Sequence, residues 1–324
     1  MKKATLQDVA NKAGVSCATA SYALNRKKNI ASKTREAVIA AASALNYELP
    51  KYARRTIGIL LSHQSGISDL LRLRFNPLRQ EIFRRNYLFV ITDVEDFDMF
   101  EEWRIDGVIS FDASQMISKK FPLYRNIPLL CYLDLPNHFE NVYSIFCDTK
   151  QNLRQMLEYF IENGHERIGY CKQYNPRVKH VVNYPKVFNE LISEMGLNDR
   201  AFIQTYDDKD LFHGDAIGML LEKDITALFS QESMHEVLER LSLYGKRVPE
   251  DIALIVGDTS MANFFSPRLS TLGMDNEAAA VAVLDALEKI WEGGTINKDI
   301  IIPGVLTVRD SSCTDGIYEI RRTM

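Results

Sequence analysis

The residues best suited to chemistry in this 324-residue chain are basic ones, concentrated at its start. The first 55 residues hold eleven Lys or Arg against three Asp or Glu, a net charge of +8, whereas the whole chain carries −4. The remainder therefore carries −12. A basic segment on an acidic body is typical of a module that binds a polyanion, such as the phosphate backbone of nucleic acid. The alternative is a solvated basic surface without a ligand.

No set of nucleophiles, phosphate-binding glycines or metal ligands accompanies these charges. The chain lacks the GxSxG, GxGxxG, P-loop and HExxH motifs, and its six His residues are scattered. The five cysteines form no CxxC pair, which favours a reducing compartment over a disulfide framework or a zinc site. No stretch is apolar enough to cross a membrane. We therefore expect no enzymatic activity, no cofactor, no metal and no membrane partner, and a cytoplasmic location.

Two short helices joined by a tight turn are predicted over residues 5–25. Thr5 precedes an apolar stripe at helical spacing, and an acid follows three residues later, which is a helix-start signal. Gly14 suits the positive φ that ends a helix, and Ser16 suits the start of the next, at about 17–24. This outline is that of a helix-turn-helix, whose second helix enters the DNA major groove.

A third helix and a larger α/β region follow. Ser32 is expected to cap a helix over about 33–46. From Ile57, short apolar runs alternate with helical stretches, the pattern of βαβ units with parallel strands. One helix is expected to open at Asn76-Pro77, and the run IIIPGVLTV is read as one closing strand. Two successive α/β sets imply two lobes with a cleft between them.

The motifs together resemble one family of proteins. TLQDVANKAGVS, TASYALN and ASKTREAVIAAASALNY are similar to the DNA-binding headpiece of the LacI/GalR (lactose/galactose repressor) family. DGVIS, GHERIGYC, VPEDIALI, SPRLST and VRDSS are similar, in the same order, to its core. The resemblance implies an N-terminal all-α helix-turn-helix headpiece plus an α/β two-lobed periplasmic-binding-protein-like core with parallel sheets. The implied domains are a headpiece at 1–47, a shortened linker at 48–56 and a core at 57–324, with a first lobe at about 57–163 and 275–304 and a second at about 164–274 and 305–324.

The resemblance also implies a function. The chain is expected to be a transcriptional regulator, a repressor of carbohydrate-related genes, that binds a palindromic operator in double-stranded DNA as a homodimer. A small effector, a sugar or sugar phosphate, is expected to bind in the cleft and to change the geometry of the lobes. An activator or a corepressor-dependent regulator of the same fold, with a non-sugar effector, remains an alternative. A sugar-binding protein without a DNA role is disfavoured by the basic headpiece.

Positions that match the family's DNA contacts are carried over individually. Cys17, Ala18, Ser21 and Tyr22 match the groove-facing positions, and the small groups at 17 and 18 suit a thymine methyl. Tyr22 replaces the family's usual Arg, a guanine reader, so we expect altered base discrimination there. The positions that match backbone contacts, which orient rather than specify, are Thr5, Ser16, Thr19, Asn25, Thr34 and Tyr47. In the linker, Lys51, Arg54 and Arg55 are expected to contact phosphates. In the resembled family the linker forms a hinge helix that inserts a Leu into the minor groove. This linker lacks that Leu, so the sequence leaves open whether it forms a hinge helix.

Four residues are candidates for the effector cleft. Asp258, after DIALIVG, matches the family's acid that accepts hydrogen bonds from effector hydroxyls, and Asp148 matches the strand-end acid of the first lobe. Local capping is the alternative role for both. His180 stands where the family has an effector-binding Arg, and His63 is either a cleft-rim residue or an ordinary loop residue. Because TALFSQESM also lacks the family's Asn-Asp pair, the identity of the effector stays open.

Overall fold

The computed structural model divides the chain into two compact units, Met1–Arg55 and Thr56–Met324. The residues described are 4–24, 30–45, 47, 55–61, 69–93, 103, 105–111, 127–132, 141–174, 184–207, 215–231, 234–313 and 318–321. Asn25, Lys51, Arg54, His63 and His180, all predicted site residues, lie outside these ranges.

The first unit is a small helical domain. Its helices are α1 (Leu6–Ala13), α2 (Cys17–Leu24) and α3 (Ser32–Ala44). Small side chains let the three helices approach closely, and Val9 and Val38 are fully buried at their centre. Leu6, Val15, Leu24 and Leu45 pack around that centre and are partly buried. The helix-turn-helix prediction is therefore confirmed in outline.

The second unit begins with a six-stranded parallel sheet in the order β11-β5-β4-β3-β1-β2. Its strands are β1 (Thr56–Leu61), β2 (Leu88–Asp93), β3 (Gly107–Ser110), β4 (Leu129–Cys131), β5 (Val142–Cys147) and β11 (Asp299–Ile302). Helices α4 (Asp69–Arg84) and α9 (Asn276–Trp291) bury apolar side chains in the core of this sheet. We call this sheet and its two helices the first lobe.

The second lobe is built on a seven-stranded sheet in the order β13-β12-β10-β9-β8-β6-β7. Its strands are β6 (Ile168–Tyr174), β7 (Ala201–Asp207), β8 (Ala227–Ser230), β9 (Ala253–Gly257), β10 (Ser270–Met274), β12 (Gly304–Val308) and β13 (Tyr318–Arg321). Its helices are α5 (Thr149–Glu162), α6 (Tyr184–Glu194), α7 (Ala216–Leu221) and α8 (Met234–Leu243), and a short 3-10 turn spans Ala262–Phe264. Among the described strands of this sheet, β12 pairs in the antiparallel sense with both β10 and β13, and the other pairs are parallel. The expected two-lobed α/β core with mostly parallel sheets is confirmed.

The chain crosses between the lobes at three places that lie against one another. The crossings are at 147–149, 274–276 and 302–304, where a strand of one sheet gives way to an element of the other lobe. The Asp148 amide donates to the carbonyl of Ile302 at 3.2 Å, and the Asp275 amide donates to that of Pro303 at 2.9 Å. The first crossing comes before α5, because α5 packs into the core of the second sheet, and not near residue 163 as expected.

Three local predictions are corrected by the structure. Pro77 lies inside α4, which already begins at Asp69, rather than at a helix start. There the burial of Leu78 and Ile82 against the first-lobe core outweighs the loss of one main-chain hydrogen bond. The run IIIPGVLTV is two strands in two sheets, because Pro303 has no N–H to continue a ladder. The N-cap of α3 is Ala31, one residue earlier than the cap expected at Ser32.

Candidate DNA-reading helix and effector cleft

The turn between α1 and α2 fixes the direction of the second helix. Gly14 has φ +68°, and its N–H closes α1 on the carbonyls of Ala10 and Asn11. The Ser16 hydroxyl then accepts a hydrogen bond from the Thr19 amide at 3.0 Å and lies 2.8 Å from the Thr19 hydroxyl. Ser16 and Thr19, predicted as backbone contacts, therefore also form the N-terminal cap of α2.

Helix α2 presents one apolar face inward and one mixed face outward. Ala20 and Ala23 are buried, whereas Ala18 is exposed and Tyr22 is 47% exposed. Ser21 is half-buried, and Cys17 packs partly against the headpiece core. The predicted reading positions are thus unevenly accessible, with Ala18 and Tyr22 the most available to a DNA base edge.

The other described headpiece positions have structural roles of their own. Thr5 caps α1 reciprocally with Asp8: its N–H and hydroxyl donate to the Asp8 carboxylate at 2.8 and 2.7 Å. Tyr47 packs against the headpiece core, and its burial, together with nearby Cys17, raises the pKa of its phenol. Thr34 and Arg55 are both half-buried.

The cleft acid Asp258 follows β9 at the end of the second sheet. Its carboxylate accepts a hydrogen bond from the Asn276 side-chain amide, with Oδ2 and Nδ2 3.0 Å apart. Asn276 is the first residue of α9, so this bond joins the two lobes beside the second crossing. Asp258 also lies so close to Gly273 on β10 that a side chain at 273 would overlap it. The absence of a Cβ at Gly273 is what admits the carboxylate.

Asp148 occupies the matching position in the first lobe and performs the capping role that was its alternative. Its carboxylate accepts the Gln151 amide at 2.9 Å and caps α5. The pKa of the Cys147 thiol is raised to about 11, chiefly by burial and further by Asp148 and Asp258, while Asn152 and Arg74 oppose the rise. The two acids therefore both lie near this thiol, beside the first crossing.

Several cleft residues were not found from the sequence. The Arg74 guanidinium donates to the main-chain oxygen of Tyr132 at 3.3 Å, and the Tyr132 ring stacks on Phe111 with centroids 4.7 Å apart. In the second lobe, burial lowers the pKa of Lys172 to about 8. The Tyr170 hydroxyl donates to Gln231 at 2.7 Å, within the TALFSQESM segment that departs from the family pattern. Phe111, Tyr132 and Gln231 directly follow strands, which is a sequence signal, whereas Tyr170 and Lys172 lie within β6 and Arg74 lies on a helix.

The part of the chain that the structure describes offers no group of three His, Cys, Asp or Glu residues placed to hold a metal ion. Within the same ranges, no helix is both long and apolar enough to span a membrane.

Comparison with known proteins finds a matching protein family for each of the two units. Residues 5–49 match the family "Bacterial regulatory proteins, lacI family", and residues 157–312 match the family "Periplasmic binding protein-like domain". The HTH-type transcriptional repressor PurR of Mannheimia succiniciproducens is 25% identical over 345 residues, covering 95% of this chain and 98% of that protein. The repressor of the same name from Vibrio atlanticus is 24% identical over 295 residues, covering 83% and 86%.

Solved structures show the same fold. The lac repressor dimer bound to operator and the anti-inducer ONPF aligns with a TM-score of 0.62 at 20% identity, over 96% of this chain and 99% of that one. The regulator CelR in complex with cellobiose aligns with a TM-score of 0.59 at 22% identity, over 95% and 100%. A helix-turn-helix domain joined to a two-lobed binding-protein core defines a DNA-binding transcriptional regulator, not an enzyme. The chain thus combines a lacI-family DNA-binding domain with a periplasmic binding protein-like domain.

Proposed function

We propose that this chain is a repressor that binds a palindromic operator as a homodimer and responds to a small, sugar-like effector held between its lobes near Asp258. The observation that carries the proposal is the exposed face of α2, positioned by the Gly14 turn and the Ser16 cap. A short helix with a small residue and an aromatic residue outward fits a major groove, and the +8 charge of the headpiece supplies attraction to phosphates.

The geometry of the cleft supports an effector rich in hydroxyl groups. A half-buried carboxylate at Asp258 accepts hydrogen bonds strongly, as adjacent hydroxyls require. Two structural neighbours contain such ligands: CelR is a complex with cellobiose, and a LacI family regulator from Arthrobacter sp. FB24, at 18% identity and a TM-score of 0.62, is a complex with lactose. A palindromic operator then calls for a dimer, and the lac repressor neighbour is a dimer on its operator.

An apolar patch on the first lobe supports the dimer. We define the edge patch as Phe83, at the end of α4, with Leu88 and Ile91 on β2, the strand at one edge of the sheet. All three are large apolar side chains with substantial exposure. Leu88 and Ile91 point to opposite faces of β2, so the edge patch extends around the strand edge. Exposed apolar side chains along a strand edge are a liability in an isolated monomer and are suited to an interface.

The DNA-binding proposal is tested by selection of sequences from a random duplex library with the full chain. We expect the selected DNA to contain an inverted repeat. The logarithm of the affinity should fall linearly as the logarithm of the salt concentration rises. Tyr22→Ala should remove base preference at one position in each half-site, by about tenfold, without changing the salt slope. Ser43→Ala, an exposed change on α3, is the matched control and should leave both unchanged. Selected DNA without an inverted repeat would contradict the proposal.

A further inference from the structure

The hydrogen bond between Asn276 and Asp258 leaves one buried oxygen without a partner. A carboxylate has no hydrogen to donate, so the Asn276 amide must turn its nitrogen toward Asp258 and its oxygen away. Among the residues that the structure describes, that Oδ1 atom accepts no hydrogen bond, and solvent does not reach it. A buried acceptor without a hydrogen-bond donor is destabilising. The unpaired oxygen therefore needs a reason.

The position of Asn276 supplies one. It begins α9 of the first lobe directly after the second crossing, while its amide holds an acid of the second lobe. Any ligand group that donates to Asp258 arrives within reach of this amide. Such a group with two hydrogens could satisfy both the carboxylate and the unpaired oxygen.

We propose that Asn276 is an effector-contacting residue, at which a donor group of the effector bridges the Asp258 carboxylate and Asn276 Oδ1. The inference rests on the proposed effector site at Asp258. It specifies the chemistry of that contact: a pair of adjacent hydroxyls or an amino group, and not an acceptor such as a phosphate or a carbonyl. Because Oδ1 is inaccessible in this arrangement, the contact forms only with movement at the crossing, which ties occupancy of the cleft to the geometry of the lobes.

A second asparagine provides the control. Asn152 on α5 also has a buried Oδ1 without a partner among the described residues, but its amide donates to the Cys147 sulfur at 3.0 Å and not to Asp258. Both Asn276→Ala and Asn152→Ala therefore remove a buried, unpaired side-chain oxygen near a crossing. Loss of contact with the cleft acid is specific to Asn276→Ala.

The test measures binding of cellobiose, lactose, glucose 6-phosphate and hypoxanthine to the full chain by thermal shift and calorimetry. For a compound that binds, Asp258→Ala should abolish binding, Asn276→Ala should weaken it roughly tenfold, and Asn152→Ala should leave it unchanged. An O- or N-methylated analogue, whose donor group is blocked, should bind the unaltered chain about as weakly as the parent compound binds Asn276→Ala. The Asn276→Ala variant should bind the analogue and the parent compound equally. If Asn276→Ala does not fold, Asn276→Ser should show the same loss.

Each outcome decides a different claim. If Asp258→Ala abolishes binding while Asn276→Ala leaves it unchanged, or Asn152→Ala weakens it equally, the role of Asn276 is overturned and the effector site stands. If none of the compounds binds, or binding survives Asp258→Ala, the effector site itself fails, and the role of Asn276 fails with it.

Discussion

A buried lysine in the second lobe should make the stability of the fold depend on pH. Lys172 lies on β6, on the same face as the buried Tyr170, and burial lowers its pKa from 10.5 to about 8. At pH 7 the folded chain holds this charge in a poorly solvated place, whereas the unfolded chain does not. Stability therefore rises as pH increases from about 8 to about 10.5, where only the unfolded state still binds the proton.

We expect Lys172→Met to raise the free energy of unfolding by about 2 kcal/mol at pH 7. The gain should shrink as pH rises and approach zero above about pH 10.5, where the lysine becomes neutral in both states. Urea unfolding at the two pH values measures this. Lys186→Met, at an exposed surface ion pair with Glu190, is the control and should change little. An equal gain at both pH values would attribute the effect to packing and not to charge.

Residue-level prediction from the sequence is most specific where a side chain directly follows a strand. Asp258 and Asp148 can be predicted at the carboxyl ends of parallel strands, and both lie directly after such a strand; their role toward an effector stays a prediction. Asn276 and Arg74 cannot be predicted in this way, since each lies on a helix and reaches the cleft only through the crossings or through contact with a neighbouring loop. Such proximity depends on three-dimensional packing that no local spacing encodes.

At the scale of the element, the start of α1 depends on one reciprocal cap. Asp8 accepts hydrogen bonds from Thr5, and the Thr5 hydroxyl accepts the Asp8 amide at 3.3 Å. Asp8→Ala should cost about 1 kcal/mol and speed amide exchange in residues 6–13 of the full chain about fivefold. Gln7→Ala, an exposed change on the same helix, should not. Exchange equal in the two variants would show that the cap contributes no stability.

The third crossing depends on the absence of a side chain at Gly304. A Cβ there would overlap the Asn152 side chain, which packs against the start of β12. Gly304→Ala should therefore destabilise the chain by about 1–3 kcal/mol, and combination with Asn152→Ala should restore part of the loss, because the smaller side chain leaves room. Gly257→Ala, with its nearest neighbours 3.8 Å away, is the control. Urea unfolding of the four variants measures the coupling, and strictly additive losses would exclude the overlap as the cause.

Element boundaries show where local rules were overridden. The caps at Thr5 and Ser16 and the turn at Gly14 were read correctly because each depends on neighbours within four residues. Pro77 was misplaced because packing against the first-lobe core sustains a helix through it. IIIPGVLTV was misread because an apolar run does not reveal that its two halves join different sheets.

At the scale of the whole molecule, the two edges of the first sheet differ in a way that predicts the dimer interface. Ile91 on β2 is 46% exposed and Ile301 on β11 is 45% exposed, at opposite edges of one sheet. Among the described residues, β2 also carries exposed Leu88, and α4 ends near exposed Phe83, whereas β11 carries no second large apolar side chain of comparable exposure. A single exposed Ile is ordinary on a protein surface, whereas a cluster is suited to burial in an interface.

Ile91→Lys should therefore convert the proposed dimer to a monomer, because it would place a charge against an apolar partner surface. Sedimentation analysis should show half the mass, and operator affinity should fall by at least about tenfold, since two linked headpieces bind a palindrome more tightly than one. Ile301→Lys adds the same charge at an equally exposed site and should preserve both the mass and the affinity. If Ile301→Lys dissociates the dimer and Ile91→Lys does not, the interface lies on the opposite edge of the sheet. If both variants stay dimeric, neither edge of the first sheet is needed for the dimer, and the edge patch is not its interface.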